Sequence, residues 1–152
     1  MAKSGPFHHI VVAYDGSSQA RIALDRAVDL ARDWSSRLSI VTVYQPPVMW
    51  SIGPMIPPEP PGELERKAYR EVLAQAVHAA EKGGVSDVRG ELLEDHPAEA
   101  ILQFADSEHA DLIVMGSRGR SAAPRLLLGS VSDAVLHHAR IAVLVVRPPV
   151  SP

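Results

Sequence analysis

Five short runs of aliphatic and β-branched residues alternate with segments of helical periodicity, and this alternation most constrains the fold. The runs are nearly continuous in apolar residues, which is typical of parallel strands covered on both faces. Strands that alternate with helices are joined by crossovers and form a parallel sheet. The sequence therefore predicts an α/β fold: a doubly wound five-stranded parallel sheet with helices on both faces. The predicted strands are His9 to Tyr14, Arg37 to Tyr44, Val88 to Leu93, Leu112 to Met115 and a fully buried Ile141 to Val146.

The segments between these runs predict four helices. The first follows the turn and cap residues Asp15 to Ser18, and the second covers Glu63 to about Lys82. The third begins at Pro97, since proline in the first turn loses no intrahelical hydrogen bond, and the fourth is Val131 to Ala139. The stretch Gln45 to Gly62 holds seven of the thirteen prolines and predicts neither a helix nor a central strand. Its role is open.

Length and composition limit the classes of function. With 152 residues, 46% of them hydrophobic, residues 1–152 are expected to form one domain. A net charge of −3 gives no broad attraction to nucleic acids or anionic membranes, so neither is expected as a partner. The absence of cysteine excludes thiol catalysis, disulfides and cysteine zinc sites. Without an export signal or a long apolar run, we expect a cytoplasmic protein.

The loop from Gly116 to Ser130 is the strongest candidate for a binding site. It lies between a predicted strand and a predicted helix, and parallel sheets bind ligands at the carboxyl ends of strands where the winding reverses. Its glycines allow close backbone approach, its serines present donors at a helix N-terminus, and its three arginines have no acid among them. Together these features indicate a local phosphate site. The residues are Gly116, Gly119, Gly129, Ser130, Ser132, Arg118, Arg120 and Arg125.

From residue types alone, an ordinary structural interpretation of this loop is equally good. The glycines could form turns, the serines could cap the helix and the arginines could be solvated. The loop has neither the Gly-Lys-Ser/Thr of a Walker A motif nor a Gly-x-Gly-x-x-Gly dinucleotide fingerprint. Those two nucleotide-binding classes are therefore excluded.

The spacing Gly-x2-Gly-x9-Gly-Ser, beginning at Gly116, resembles the nucleotide-binding signature of the universal stress protein family. The resemblance extends over nearly the whole chain. Val12 to Ser17 is similar to the family's first strand and turn, Asp111 to Gly116 to its fourth strand, and Ala142 to Arg147 to its last.

The resemblance implies a Rossmann-like fold of the adenine-nucleotide α-hydrolase type that binds ATP, with Mg²⁺ or Mn²⁺ bridging the phosphates. ATP would lie at the carboxyl ends of the first, second and fourth strands. Asp15 could instead cap the first helix, Val43 could simply fill the core, and Arg118 could reach either phosphate or water. The implied contacts are Ala13 and Asp15 at ribose and adenine, Val43 on the adenine ring, Met115 and Gly116 at the sugar, and Gly119, Gly129, Ser130, Val131 and Ser132 around the phosphates.

Three functions are compatible with such a chain. The first is a nucleotide-dependent regulator or sensor in the stress response. The second is an ATPase or nucleotidyl-transfer enzyme. Asp15 and Asp133 are the only acids that the loop region offers as a base near the phosphates, so at most slow hydrolysis is expected. The third is a ligand-free dimerisation or docking module, which the intact glycine motif disfavours. A homodimer through Ile141 to Val146 is expected if that strand lies at the sheet edge.

Other constellations are weaker. The pairs His8-His9 and His137-His138 are adjacent in sequence, so neither forms the i, i+4 arrangement that favours a metal on one helix face. Asp95-His96-Pro97 is interpreted as a helix cap rather than a catalytic dyad. Met49-Trp50 could cover a groove or fold back on the core.

Overall fold

The computed structural model describes residues 5–46, 62–118 and 128–149, and five strands lie in these ranges. All neighbouring strands are parallel, which confirms the predicted sheet. The strands are β1 (His9–Ala13), β2 (Arg37–Tyr44), β3 (Val88–Glu94), β4 (Leu112–Gly116) and β5 (Ala142–Val146). Their order across the sheet is β3-β2-β1-β4-β5.

Four helices connect these strands, and their starts follow the cap chemistry of the sequence. They are α1 (Ser18–Trp34), α2 (Glu63–Lys82), α3 (Pro97–Ser107) and α4 (Ser130–His138). Ser17 caps α1, since its Oγ accepts a hydrogen bond from the amide of Ala20 at 3.1 Å. Pro97 occupies the first turn of α3. In the ranges given above, no helix combines the length and apolar character needed to cross a membrane.

Alternate residues of the strands build two cores, one on each face of the sheet. Ile10 and Val12 of β1 pack with residues of α1 and α2, whereas Val11 packs in a second cluster with Ile101 of α3 and Val135 of α4. This alternation follows from the two-residue period of a strand. Helices therefore cover both faces, as predicted.

The prediction that the last strand is fully buried is wrong for the single chain. β5 pairs with β4 at the edge of the sheet, and its Ala142 and Leu144 side chains are exposed, Leu144 by 38%. A continuous apolar run does not distinguish a central strand from an edge strand, because both present an apolar face to a helix. Burial of β5 depends on the position of the strand in the sheet.

The order of the strands creates a crevice beside β1. The chain runs outward from β1 through β2 to β3 and then returns to form β4 on the other side of β1. The winding reverses between β1 and β4, and ligands of doubly wound sheets bind at the carboxyl ends of strands around such a point. The loops after β1 and β4 both begin there.

Candidate functional site

A cavity of about 330 Å³ lies at the carboxyl ends of β1, β2 and β4. Its volume is in the range of small-molecule sites, about 300–1,000 Å³. Ten of the eleven residues expected to contact a nucleotide line this one cavity, and the eleventh, Gly119, lies outside the described residues. The ten are Ala13, Asp15, Val43, Met115, Gly116, Arg118, Gly129, Ser130, Val131 and Ser132.

Asp15 lines the cavity from the turn between β1 and α1. Its Oδ1 accepts a hydrogen bond from the amide of Ser17 at 2.9 Å, and Gly16 between them has a φ of 81°. Such a turn is typical of aspartate, whose short side chain reaches the backbone two residues on. The local bond considered as the alternative for Asp15 is therefore present, although Ser17 is the N-cap residue of α1, and Asp15 also lines the cavity.

One side of the cavity is apolar. Ala13, Val43 and Met115 come from three adjacent strands and meet Ile101 of α3 and Val131 of α4. These side chains belong to the cluster on the α3 and α4 face of the sheet. An apolar wall of this kind suits a flat, weakly polar ring better than a charged group.

Seven further residues, which were not predicted from the sequence, also line the cavity. Gln45 directly follows β2, so the rule that ligands lie at the carboxyl ends of strands was a usable signal for it. Tyr69 and Ile101 come from helices, and no local pattern indicates that they face a site. The seven are Tyr14, Ala20, Val41, Gln45, Tyr69, Pro97 and Ile101.

Tyr69 is held at the cavity by contacts of α2 with the sheet. Its ring lies edge-on to the buried ring of Tyr44, with centroids 5.4 Å apart, and the guanidinium of Arg66 lies 5.3 Å from the Tyr44 centroid. Arg66 also donates a hydrogen bond to Glu94 at the end of β3, and this bond raises the pKa of the guanidinium. Arg66 stays charged and joins the first turns of α2 to the sheet.

Two hydrogen bonds close the base of the loop after β4. The amide of Gly129 donates to the carbonyl of Ser117 at 2.7 Å, and the buried hydroxyl of Ser132 donates to the carbonyl of Gly116 at 2.8 Å. We call Gly116, Ser117, Gly129 and Ser132 the loop neck. The Gly129 amide and the Ser132 hydroxyl, expected among the phosphate donors, therefore donate to the neck instead.

Gly116 lies close to the backbone of α1 at the neck. A Cβ at this position would lie 3.1 Å from the carbonyl carbon and oxygen of Gln19 in the first turn of α1. Gly129, by contrast, has φ −70° and ψ 161°, a conformation that any residue adopts. A Cβ at residue 116 would therefore be tighter than an ordinary contact and would push on the first turn of α1 by a few tenths of an ångström.

The N-terminus of α4 forms the polar side of the cavity. Ser130, Val131 and Ser132 are its first three residues, and amides at these positions have no intrahelical acceptor. In the described part of the chain, no side chain caps this helix. The helix dipole favours an anion here, and Arg118 lines the same cavity. Arg120 and Arg125 lie outside the described residues.

The side chains of His9 and His137 both contact other groups of the protein. The buried His9 ring contacts Ser39 Oγ at 2.7 Å and the carbonyl of Glu108 at 3.1 Å, and His137 Nδ1 lies 2.9 Å from the carbonyl of Asp133. His96 is the N-cap residue of α3 but makes no side-chain cap bond. Among residues 5–46, 62–118 and 128–149, no group of three histidine or acidic side chains could hold a metal ion.

The model of the universal stress protein family matches residues 6–147. A universal stress protein from Thermus aquaticus is 40% identical, with the alignment covering 93% of this chain and 99% of that protein. One from Methanocaldococcus jannaschii is 34% identical over 94% of this chain and 84% of its own length.

Two solved structures of the family contain nucleotides. A universal stress protein in complex with cAMP superimposes with a TM-score of 0.73 at 28% identity, covering 95% of this chain and all of that one. The Archaeoglobus fulgidus protein in complex with dAMP gives a TM-score of 0.70 at 25% identity, covering 91% of this chain and 96% of that one. The order of elements, the cavity at the carboxyl ends of the strands and these matches agree: the chain belongs to the universal stress protein family.

Proposed function

We propose that the cavity binds ATP and that the protein acts as a nucleotide-dependent regulator or sensor in the stress response. The observation that carries this proposal is the convergence of ten sequence-predicted residues, from three strand ends and a helix N-terminus, on one cavity of about 330 Å³. The apolar and polar sides of this cavity match the two chemically different ends of a nucleotide. Family relatives that bind cAMP and dAMP support an adenine nucleotide as the ligand class.

In this proposal the adenine ring packs on the apolar wall at Ala13 and Val43, and the ribose lies beside Asp15. The phosphates face the first amides of α4 and Arg118, where the helix dipole and a cation favour negative charge. A divalent ion, Mg²⁺ or Mn²⁺, would be held mainly by the phosphates themselves. Mg²⁺ commonly binds through substrate phosphates and one or two carboxylates rather than in a protein cage.

The arrangement favours binding over catalysis. Asp15 is the sole carboxylate lining the cavity in the described part of the chain, and it accepts a hydrogen bond from Ser17. Asp133 is exposed and lies 3.5 Å from His137 Nδ1. Efficient hydrolysis needs a positioned base or an oriented water at the γ-phosphate. Hydrolysis is therefore expected to be slow at most.

The test is calorimetric titration of wild type with ATP, ADP, AMP, cAMP and GTP, together with mass identification of any ligand released by heating the purified protein. Ala13→Leu should fill part of the adenine end and weaken ATP binding at least about tenfold. Ala74→Leu introduces the same side chain at an exposed position of α2 and should leave the affinity unchanged. Equal affinities for wild type and Ala13→Leu would contradict the assignment of the cavity.

We further propose that β5 pairs with its copy in a homodimer. It lies at the sheet edge with Leu144 exposed by 38%, and Leu136 of α4 is exposed by 41%. An apolar edge strand offers unpaired backbone groups to a second chain. Leu144→Lys should shift the mass measured by sedimentation from dimer to monomer. Leu64→Lys, at a position 77% exposed on α2, is the control that should not.

A further inference from the structure

The side chain of Gln19 joins the start of α1 to the loop after β4. Its Oε1 accepts hydrogen bonds from the hydroxyl of Ser117 at 2.8 Å and from the amide of Arg118 at 2.9 Å. These residues are about a hundred positions away in sequence, and both bonds are partly buried. One oxygen thus holds two consecutive residues at the point where the loop leaves the sheet.

The backbone of Gln19 forms a third contact with the same segment. A Cβ on Gly116 would lie only 3.1 Å from the carbonyl group of Gln19, so the backbones of the two residues are close together. Ser117 is also bonded through its amide to the carbonyl of Val146 at 3.0 Å and through its carbonyl to the amide of Gly129. Ser117 is therefore fixed on three sides, by α1, by β5 and by the residue before α4.

Gln19 also lies just after the turn that carries Asp15. The proposed ribose contact at Asp15 and the proposed phosphate contact at Arg118 are about a hundred residues apart in the chain. Among the described residues, Gln19 connects them, because it follows the Asp15 turn and its side chain accepts hydrogen bonds from Ser117 and Arg118. Gln19 is not among the residues that line the cavity, so we expect it to act on a ligand through Ser117 and Arg118 rather than by contact.

We propose that Gln19 is a positioning residue of the nucleotide site, which sets the direction in which the chain leaves β4 and so aligns Arg118 toward the phosphates. This inference rests on the proposed ATP binding. The group that matters is an acceptor oxygen at the position of Oε1, because both partners are donors. Because Gln19 contacts Arg118 and not the proposed base or ribose contacts, its loss should weaken binding of a ligand that carries phosphates and leave binding of the nucleoside unchanged.

The experiment compares three variants. Gln19→Met keeps the length of the side chain but removes the acceptor, Gln19→Glu keeps an acceptor, and Gln75→Met makes the same change at an exposed position of α2. Hydrogen exchange at the Arg118 amide, measured without nucleotide, reports the bond directly. Titrations with ATP and with adenosine report the consequence. ATP binding by Gln19→Glu is not compared, since the negative charge of the new glutamate would itself repel the phosphates.

For Gln19→Met we expect exchange at Arg118 to accelerate roughly 3–10-fold, as loss of one hydrogen bond allows. The Kd for ATP should rise roughly 5–20-fold and that for adenosine less than about twofold. Gln19→Glu should keep the protection of Arg118, and Gln75→Met should resemble wild type throughout.

Unchanged exchange at Arg118 in Gln19→Met, or an equal loss of ATP and adenosine binding, would overturn the inference. If wild type binds neither ATP nor adenosine, the proposed function fails and the role of Gln19 toward a nucleotide fails with it. The exchange data separate that outcome from the case in which the hydrogen bond between Gln19 and the Arg118 amide is itself absent.

Discussion

Removing the hydroxyl of Ser132 should lower the stability of the protein, although the sequence suggests a ligand contact or a helix cap for it and not a bond to the backbone of β4. Ser132 is 3% exposed, and its Oγ donates to the carbonyl of Gly116 at 2.8 Å. In Ser132→Ala this donor is lost in a place that water does not reach. Loss of such a buried bond costs about 1–3 kcal/mol of unfolding free energy.

The assay is urea denaturation followed by circular dichroism, with thermal melting as a second readout. For a chain of this length, each kcal/mol corresponds to about 2–4 °C in Tm, so a cost of about 1–3 kcal/mol should lower the Tm of Ser132→Ala by about 2–12 °C. Ser130→Ala is the matched control on the same helix. Ser130 is exposed, so the unfolding free energy of Ser130→Ala should stay within about 0.5 kcal/mol of wild type.

The two serines thus separate a structural role from a ligand role. If Ser132→Ala without nucleotide is as stable as wild type, or if Ser130→Ala is the less stable of the two, then the neck bond does not hold the loop.

Three further predictions concern stability and can share the same urea assay. Ser17→Ala removes the N-cap of α1 and should cost about 1 kcal/mol, whereas Ser18→Ala, on an exposed first-turn residue, should cost much less. His9→Leu should cost about 2 kcal/mol, because it leaves the buried hydroxyl of Ser39 without its 2.7 Å partner; a variant as stable as wild type would show that this pair contributes nothing. Ile113→Val, at a position with 0% exposure, should cost about 0.5–1.5 kcal/mol, and Ile113→Ala about 2–5 kcal/mol; equal costs would contradict close packing around β4.

The local features of the fold were predictable from the sequence. Among the described residues, the bounds of the five strands and of α4 lie within one residue of the prediction, and those of β2 and α2 agree with it. The cap at Ser17 and the proline at the start of α3 were recognisable because they act on backbone groups a few residues away. The rule that ligands bind at the carboxyl ends of strands then indicated the correct loops for the cavity.

The partners of the polar groups were not predictable in the same way. The glycine loop indicated which donors it contains, but the Gly129 amide and the Ser132 hydroxyl donate to the neck carbonyls rather than facing outward. Tyr69 reaches the cavity only because α2 packs over the end of β2. Gln19 had no motif at all, since its two bonds join segments that are distant in sequence.

The amino-acid sequence by itself determined the order of the elements and the family of the protein, because both depend on patterns and spacing along the chain. Only the tertiary structure decided that β1 lies beside β4 with β5 at the edge, and that the two ends of the glycine loop are bonded to each other. The physical reason is that a hydrogen bond depends on which groups meet in space. In this fold the groups that close the site come from α1, β4, β5 and α4.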